Sequence, residues 1–274
     1  MNSVSDEALA ERLRVALAAE ALQLCYQPKI QVATGALSGV EALARWDEDD
    51  LGEVEPTTFV RVAERFGLID ELTEWVMKTA FRQWVAWRDQ GVTLPLALNV
   101  SALSLRDVHL PDHIQRLCMR EGVPCEAVTI EVTESATQNV VRLLDTLSRL
   151  RLKGMNVSLD DFGTGFSSLI QLRQLPYSEI KIDQCFVRDA SSSRESRLIV
   201  KAVIDLAHGL GLAATAEGVE DAATLELLRE LGCDEAQGFF IARPMKGPLI
   251  VDWVLKSGRV PVAHHEAMIA EMAA

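Results

Sequence analysis

From about residue 94 the sequence falls into a repeating beat of short apolar runs and longer amphipathic ones. Strand-like runs stand at Leu94–Val100, Ala127–Thr133, 155–161, Ile180–Phe186, Leu212–Ala216 and Glu235–Ala242. Helical patterns follow them: segments through 121, then 137–152, a short stretch near 167–174, 194–209, 221–231 and 246–257. Such alternation builds a parallel sheet with helical crossovers, and over about 250 residues it is the pattern of a (β/α)8 barrel. The first hundred residues are less regular. A helix is expected over about 5–21, with Leu9, Leu13, Leu17 and Leu22 on one face. A strand at Leu22–Ile30, broken at Pro28, and a second at Ser38–Trp46 flank a turn at Thr34-Gly35, which reads as a hairpin. An acidic loop, Asp47–Glu55, leads into helical patterns at 57–66 and 69–90.

The expected fold class is therefore α/β, a TIM-type (β/α)8 barrel with an irregular, antiparallel first strand. One domain is expected over 1–258, with the N-terminal helix packed on it and a tail at 259–274. An open doubly wound sheet would carry a Gly-rich phosphate loop after its first strand, and none stands there.

Composition removes several functions. Hydrophobic residues at 49% supply a large core, and a net charge of −13 argues against a nucleic-acid polymer or an anionic membrane as main partner. A small anionic ligand remains compatible with that charge, because metal ions reverse the sign of an acidic cluster. The five cysteines are odd in number and lack Cys-x-x-Cys spacing, which fits a reducing cytoplasm. The N-terminus has no signal-peptide pattern, and the most apolar window, Leu198–Ala216, is interrupted by Lys201, Asp205 and His208. The expectation is a soluble, cytoplasmic chain without a membrane segment.

In a barrel, the carboxyl ends of the strands form the active face. Polar residues gather towards those ends here: Glu41 on the second strand, Asn99, Glu131, the pair Asp160-Asp161, Lys181 with Asp183, and Glu217 after the seventh strand, while Gln237 opens the eighth. Each alone has an ordinary explanation as a cap, a turn or an ion pair. An isolated Asp-Asp is most often a solvated turn. Their shared location is what those explanations do not predict. The donors are oxygens, apart from one lysine that must sit among carboxylates to be buried at all. Hard oxygen donors select Mg2+ or Mn2+ over zinc or copper. Asp160 and Asp161 could each grip a different ion, or one could bridge two, an arrangement suited to phosphodiester hydrolysis. Arg45, four residues beyond Glu41, is placed to take a phosphate oxygen. His109 and His113 stand four apart around Pro111 and read as surface residues; His264 and His265 lie in the tail.

These residues carry a resemblance. Glu41-Ala42-Leu43 in VEALARW, YQP at 26–28, NVS at 99–101, EVTE at 131–134 and DDFGTGFSS at 160–168 occur in order, followed by KID at 181–183, AEGVE at 216–220 and QGFF at 237–240. Ala242-Arg243-Pro244 follows, closing the last expected strand. The chain resembles the EAL-type cyclic-di-GMP phosphodiesterases over about residues 5–257. The resemblance implies Glu41, Asn99, Glu131 and Asp160 as ligands of one metal. It implies Asp160, Asp161 and Glu217 for a second, with Asp160 bridging. Glu41, Lys181, Glu217 and Gln237 would be catalytic, the lysine and glutamine positioning the attacking water. Gln27, Leu43, Arg45, Asp183 and Pro244 would contact the substrate, and Glu134 and Glu220 would anchor the loop that follows Asp161. The implied reaction opens cyclic di-GMP to linear pGpG with two Mg2+ or Mn2+ ions per site. The implied state is a homodimer, with sensory or regulatory domains outside this chain. The alternative is a catalytically weak cyclic-di-GMP receptor of the same fold.

Overall fold

The computed structural model describes residues 4–133, 140–164 and 169–259. Ser5 accepts a hydrogen bond from the Ala8 amide and starts α1 (Asp6–Ala18), whose Leu9, Leu13 and Leu17 are buried. The chain continues through β1 (Gln23–Gln31), β2 (Leu37–Glu48), β3 (Gly52–Val54), α2 (Pro56–Arg65) and α3 (Ile69–Arg88). Then come β4 (Leu96–Asn99), α4 (Leu110–Glu121), β5 (Val128–Thr133), α5 (Val140–Leu152), β6 (Asn156–Phe162) and α6 (Leu169–Gln174). The remainder is β7 (Glu179–Ile182), α7 (Gln184–Val187), α8 (Arg194–Gly209), β8 (Ala213–Ala216), α9 (Ala222–Leu231), β9 (Glu235–Gln237), β10 (Met245–Lys246) and α10 (Pro248–Ser257).

Eight strands close a ring in the order β1-β2-β4-β5-β6-β7-β8-β9, with β9 pairing back to β1. All neighbours from β2 to β9 around the ring are parallel, and β1 is antiparallel to both β2 and β9. This is the barrel with an antiparallel first strand that the hairpin pattern predicted.

Several boundaries differ from expectation. β1 is not broken at Pro28. Cys25 and Tyr26 pair with β10 and Lys29–Gln31 pair with β9, so Pro28 stands between the two ladders. Its partner on β2, Val40, turns its own N–H to Pro95 on the other side. The missing proline N–H thus forfeits no ladder bond, and the register slips one residue later, between Lys29 and Ile30. The acidic loop folds back as β3, paired with the end of β2. β7 stops at Ile182 rather than Phe186, because Asp183 accepts from the Cys185 amide and caps α7. β9 stops at Gln237, so that residue closes the strand instead of opening it. Arg243 and Pro244 lie outside any strand, and the separate β10 returns to β1.

Alternation sorts the strands into two environments. Ile130, Val132, Val157, Leu159, Ile180 and Ile182 are 0–1% exposed and face the helical ring. The intervening residues line a barrel interior that is buried but polar: Thr129 and Glu131, Ser158 and Asp160, Glu179 and Lys181. The lower layer is an ion pair. Lys29 lies 3.2 Å from Glu179 and 3.4 Å from Glu235, and Thr215 donates to the same Glu179 oxygen. The upper layer is the site.

Candidate active site

β7 delivers Lys181 to the centre of the upper layer, with no solvent exposure. Its Nζ is 2.6 Å from Glu217 Oε1, 3.0 Å from Glu131 Oε2, 3.1 Å from Asp160 Oδ1 and 3.8 Å from Glu41 Oε2. Burial alone would push the ammonium towards neutrality. The surrounding carboxylates outweigh burial and hold its pKa well above the ordinary lysine value. One cation does not neutralise this many acids. Burial and the neighbouring charges raise Glu131 well above the carboxylate range and Glu217 to about 8. Glu41 goes the other way despite its burial, since Lys181, Gln237 and Asn99 all favour its charged form.

Glu41 is fixed by side-chain amides. Asn99 Nδ2 donates to its Oε1 at 2.7 Å and Gln237 Nε2 to its Oε2 at 2.7 Å. Gln237 also donates to Gln27 Oε1 at 3.0 Å, and Gln27 donates to the Ala242 carbonyl at 3.1 Å. The first and last strands of the ring thereby lock one carboxylate in place.

The adjacent aspartates depend on a bulge. Successive side chains in a regular strand point to opposite faces, which would separate Asp160 from Asp161. Leu159 pairs with Ile180 and Phe162 with Ile182, so two residues of β6 oppose the single Lys181. Asp161 has φ 55°, and its amide donates to Asp160 Oδ1 at 3.0 Å. The left-handed residue turns the second carboxylate back to the first. Oxygens of Asp160, Asp161 and Glu217 then lie within 4.8 Å of one another. Burial, with Asp160 and Asp183 close by, raises Asp161 to about 6.

The donor set fits hard divalent cations. It is all oxygen, apart from the central lysine, and neither buried oxygen of Glu131 receives a hydrogen bond. The raised pKa values of Glu131 and Glu217 reflect an excess of buried negative charge, which divalent cations would offset. Asp160, Asp161 and Glu217 could hold one ion, and Glu41, Asn99 and Glu131 are further oxygen donors close by.

Two close approaches set the neighbouring loops. A Cβ on Gly238 would lie 2.2 Å from both the nitrogen and the oxygen of Val219. Val219 donates to the Gln237 carbonyl and accepts from the Phe240 amide, each at 3.0 Å, so the loops after β8 and β9 are joined there. Gly218, at φ 70°, would bring a Cβ 2.4 Å from that of Gln184.

Above the acids lies a cavity of about 220 Å³, whose lining includes Gln27, Leu43, Gln184, Arg188, Glu220 and Phe239. A second of about 320 Å³ shares Leu43 and includes Arg45 and Asn99 with the apolar Phe59, Ile69 and Val76. The sequence expectations distribute as follows. Glu41, Asn99, Glu131, Asp160, Asp161, Lys181, Glu217 and Gln237 come together, and Gln27 joins them through Gln237. Leu43 and Arg45 line the mouth. Asp183 stands beside Asp161 while capping α7, and half-buried Pro244 precedes β10. Glu220 pairs with Arg188 at 3.0 Å on the rim. Glu134 lies outside the described residues. Sequence reasoning missed Gln184, Arg188 and Phe239. Helical placement just after KID could have suggested the first two, and Phe239 stands in the QGFF motif without having been given a role.

Comparison with known proteins gives consistent results. A model of the EAL domain matches residues 10–244. The chain is 40% identical over 236 residues to "Cyclic di-GMP phosphodiesterase PA2567" of Pseudomonas aeruginosa, covering 86% of this chain and 40% of that protein. It is 38% identical over 242 residues to "Cyclic di-GMP phosphodiesterase PdeR" of Escherichia coli, covering 88% and 36% respectively. Among solved structures, "PaMucR Phosphodiesterase, c-di-GMP complex" superposes with a TM-score of 0.84 at 39% identity, covering 88% of this chain and 99% of that one. The chain thus spans well under half the length of these two curated relatives.

Proposed function

The chain belongs to the EAL domain family, and from that premise we propose that it hydrolyses one phosphodiester bond of cyclic di-GMP, releasing linear pGpG. The supporting observation is the bulge that sets Asp160 and Asp161 on one side with Glu217, around a fully buried Lys181. We take the cofactors as two Mg2+ or Mn2+ ions. When bound, such ions lower the pKa of a water between them and offset charge gathering on the phosphate. Asp160, Asp161 and Glu217 would hold one ion, and Glu41, Asn99, Glu131 and Asp160 would hold the other.

The chain's own groups do the rest. Lys181 Nζ holds Asp160 and Glu217 in register and donates a hydrogen bond to the attacking water. Gln237 fixes Glu41 and orients the same water. Arg45 receives a phosphate oxygen across the Leu43 wall, and Gln27, Asp183 and Pro244 border the guanylate. Glu134, beyond the described residues, would support the loop after Asp161. A receptor without catalysis is disfavoured, because every ligand position carries an oxygen donor.

On the same reading the barrel, 1–258, is the catalytic domain of a homodimeric cytoplasmic protein. Sensory or regulatory domains outside these residues would supply its input, as the greater length of the relatives supports. No described helix is long and apolar enough to cross a membrane. The test is purified protein with cyclic di-GMP and Mn2+ or Mg2+, products separated by chromatography. Linear pGpG is expected. Tight binding without product would leave the receptor.

A further inference from the structure

We propose that Arg188 is a substrate-binding residue that receives phosphate oxygens of the cyclic dinucleotide, held ready on the rim by Glu220. This rests on the phosphodiesterase reading and extends it to a residue outside the sequence motifs. The cavity above the acids is lined by Glu41, Asp160, Glu217 and Glu220, and Arg188 is the basic side chain among its described lining residues. A cyclic dinucleotide carries two phosphodiester charges. Metal ions and Lys181 answer the charge of the acids at the floor. They do not answer the phosphate that lies away from the floor. Arg45 lines the neighbouring cavity, which shares Leu43 with this one, and Arg188 lines the cavity above the acids. The two guanidiniums thus serve adjoining cavities.

The geometry of Arg188 suits a ligand contact more than a structural one. It follows α7, the helical turn that Asp183 caps, so its backbone is placed by the same element that borders the site. Its side chain is about half exposed, and its ion-pair partner is the equally exposed Glu220, through Nε at 3.0 Å. One Nε contact leaves the two terminal nitrogens of the fork free for oxygen acceptors. A solvent-exposed pair of this kind contributes little to stability, so an incoming phosphate can displace or share it at small cost.

The experiment measures KM and kcat for cyclic di-GMP with Arg188→Gln, Arg188→Lys and Glu220→Gln. Dissociation constants are taken in parallel with Ca2+, which fills oxygen sites. Arg188→Gln is expected to raise KM and the dissociation constant about fivefold to tenfold, as loss of a charge-assisted hydrogen bond at a partly exposed site does. The larger share of the loss falls in KM rather than kcat. Arg188→Lys keeps the charge and should restore at least half of that loss on a logarithmic scale. Glu220→Gln frees the guanidinium and should lower KM or leave it unchanged. Values for Arg188→Gln within twofold of the parent overturn the proposal. So does Arg188→Lys as poor as Arg188→Gln, which would mark a planar contact to a base edge. An equal rise with Glu220→Gln would make the pair a structural clasp and overturn it too. If the parent binds without turnover, the phosphodiesterase reading fails alone and the dissociation constants still decide Arg188. If the parent neither binds nor turns over, both fail.

Discussion

Lys181 and Lys29 occupy successive layers of one barrel and have different consequences when removed. Lys181 faces the site, where several acids converge on a single ammonium. Lys181→Met removes the ammonium that holds Glu217 and, on the proposed mechanism, orients the water, so kcat should fall by at least about a hundredfold. Turnover within tenfold of the parent would remove the lysine from the reaction. Asp160→Ala should also abolish turnover, yet the metal-free protein should melt no lower, because the substitution deletes a negative charge from a crowded cluster. A fall of several degrees in EDTA would show that Asp160 stabilises the fold instead. Lys29 sits below, paired with Glu179 and Glu235 in the interior. Lys29→Met strands buried carboxylates, and the expected loss is about 3–5 kcal/mol in urea titration. A loss below about 1 kcal/mol would mean that the lower layer is neutral already.

At the scale of elements, the β6 bulge and the Gly238 approach decide whether the right residues meet. Gly238→Ala must push the loop after β9 away from Val219, displacing Gln237 with it. Activity should drop at least tenfold, read as kcat/KM alongside a circular dichroism spectrum that remains helical and sheet-rich. An unchanged kcat/KM would show that the loop yields without moving Gln237. The N-terminal helix offers a pH test remote from the site. Asp6 on α1 accepts from Arg61 and Arg65, and these hydrogen bonds and charges hold its pKa down at about 2. An acid whose folded pKa is depressed contributes stability above its unfolded value and loses it as pH falls through the folded one. Asp6→Asn should therefore lower the melting temperature at pH 5 and above, and the gap should close between about pH 4 and pH 2. A gap that persists at pH 2 would assign the effect to packing.

For the whole molecule, an acid cluster with one internal cation links folding to metal. Mn2+ should raise the melting temperature in a concentration-dependent way, by the mass-action stabilisation of a bound state. About 2.7 kcal/mol is expected at a hundredfold excess over the dissociation constant. Asp160→Ala, which removes the shared ligand, should flatten that response. Equal shifts in both proteins would place the metal elsewhere.

The order of elements was legible in the sequence, because alternating apolar runs and 3.6-residue periodicity are local properties of the chain. Most site residues were legible too, since Asn99, Glu131, Asp160, Lys181 and Glu217 stand near the carboxyl ends of expected strands, and a barrel brings those ends together. Glu41 within its strand and Gln237 were legible through their motifs. Strand ends were less so. Asp183 could have continued β7 or capped a helix, and only the contact with the Cys185 amide decides. Pro28 looked like a break, and it is harmless only because β9 and β10 divide β1 between them. The pairing of Asp160 with Asp161 required the bulge opposite Lys181, a register relation between two strands that neither strand carries alone. Arg188 was marked only by its place after KID, because its partner and most of its cavity come from segments far away in sequence. What the sequence determined by itself was periodicity and chemical type. What the tertiary structure decided was register, the direction of each carboxylate and the charge balance among them, because those depend on distances between strands.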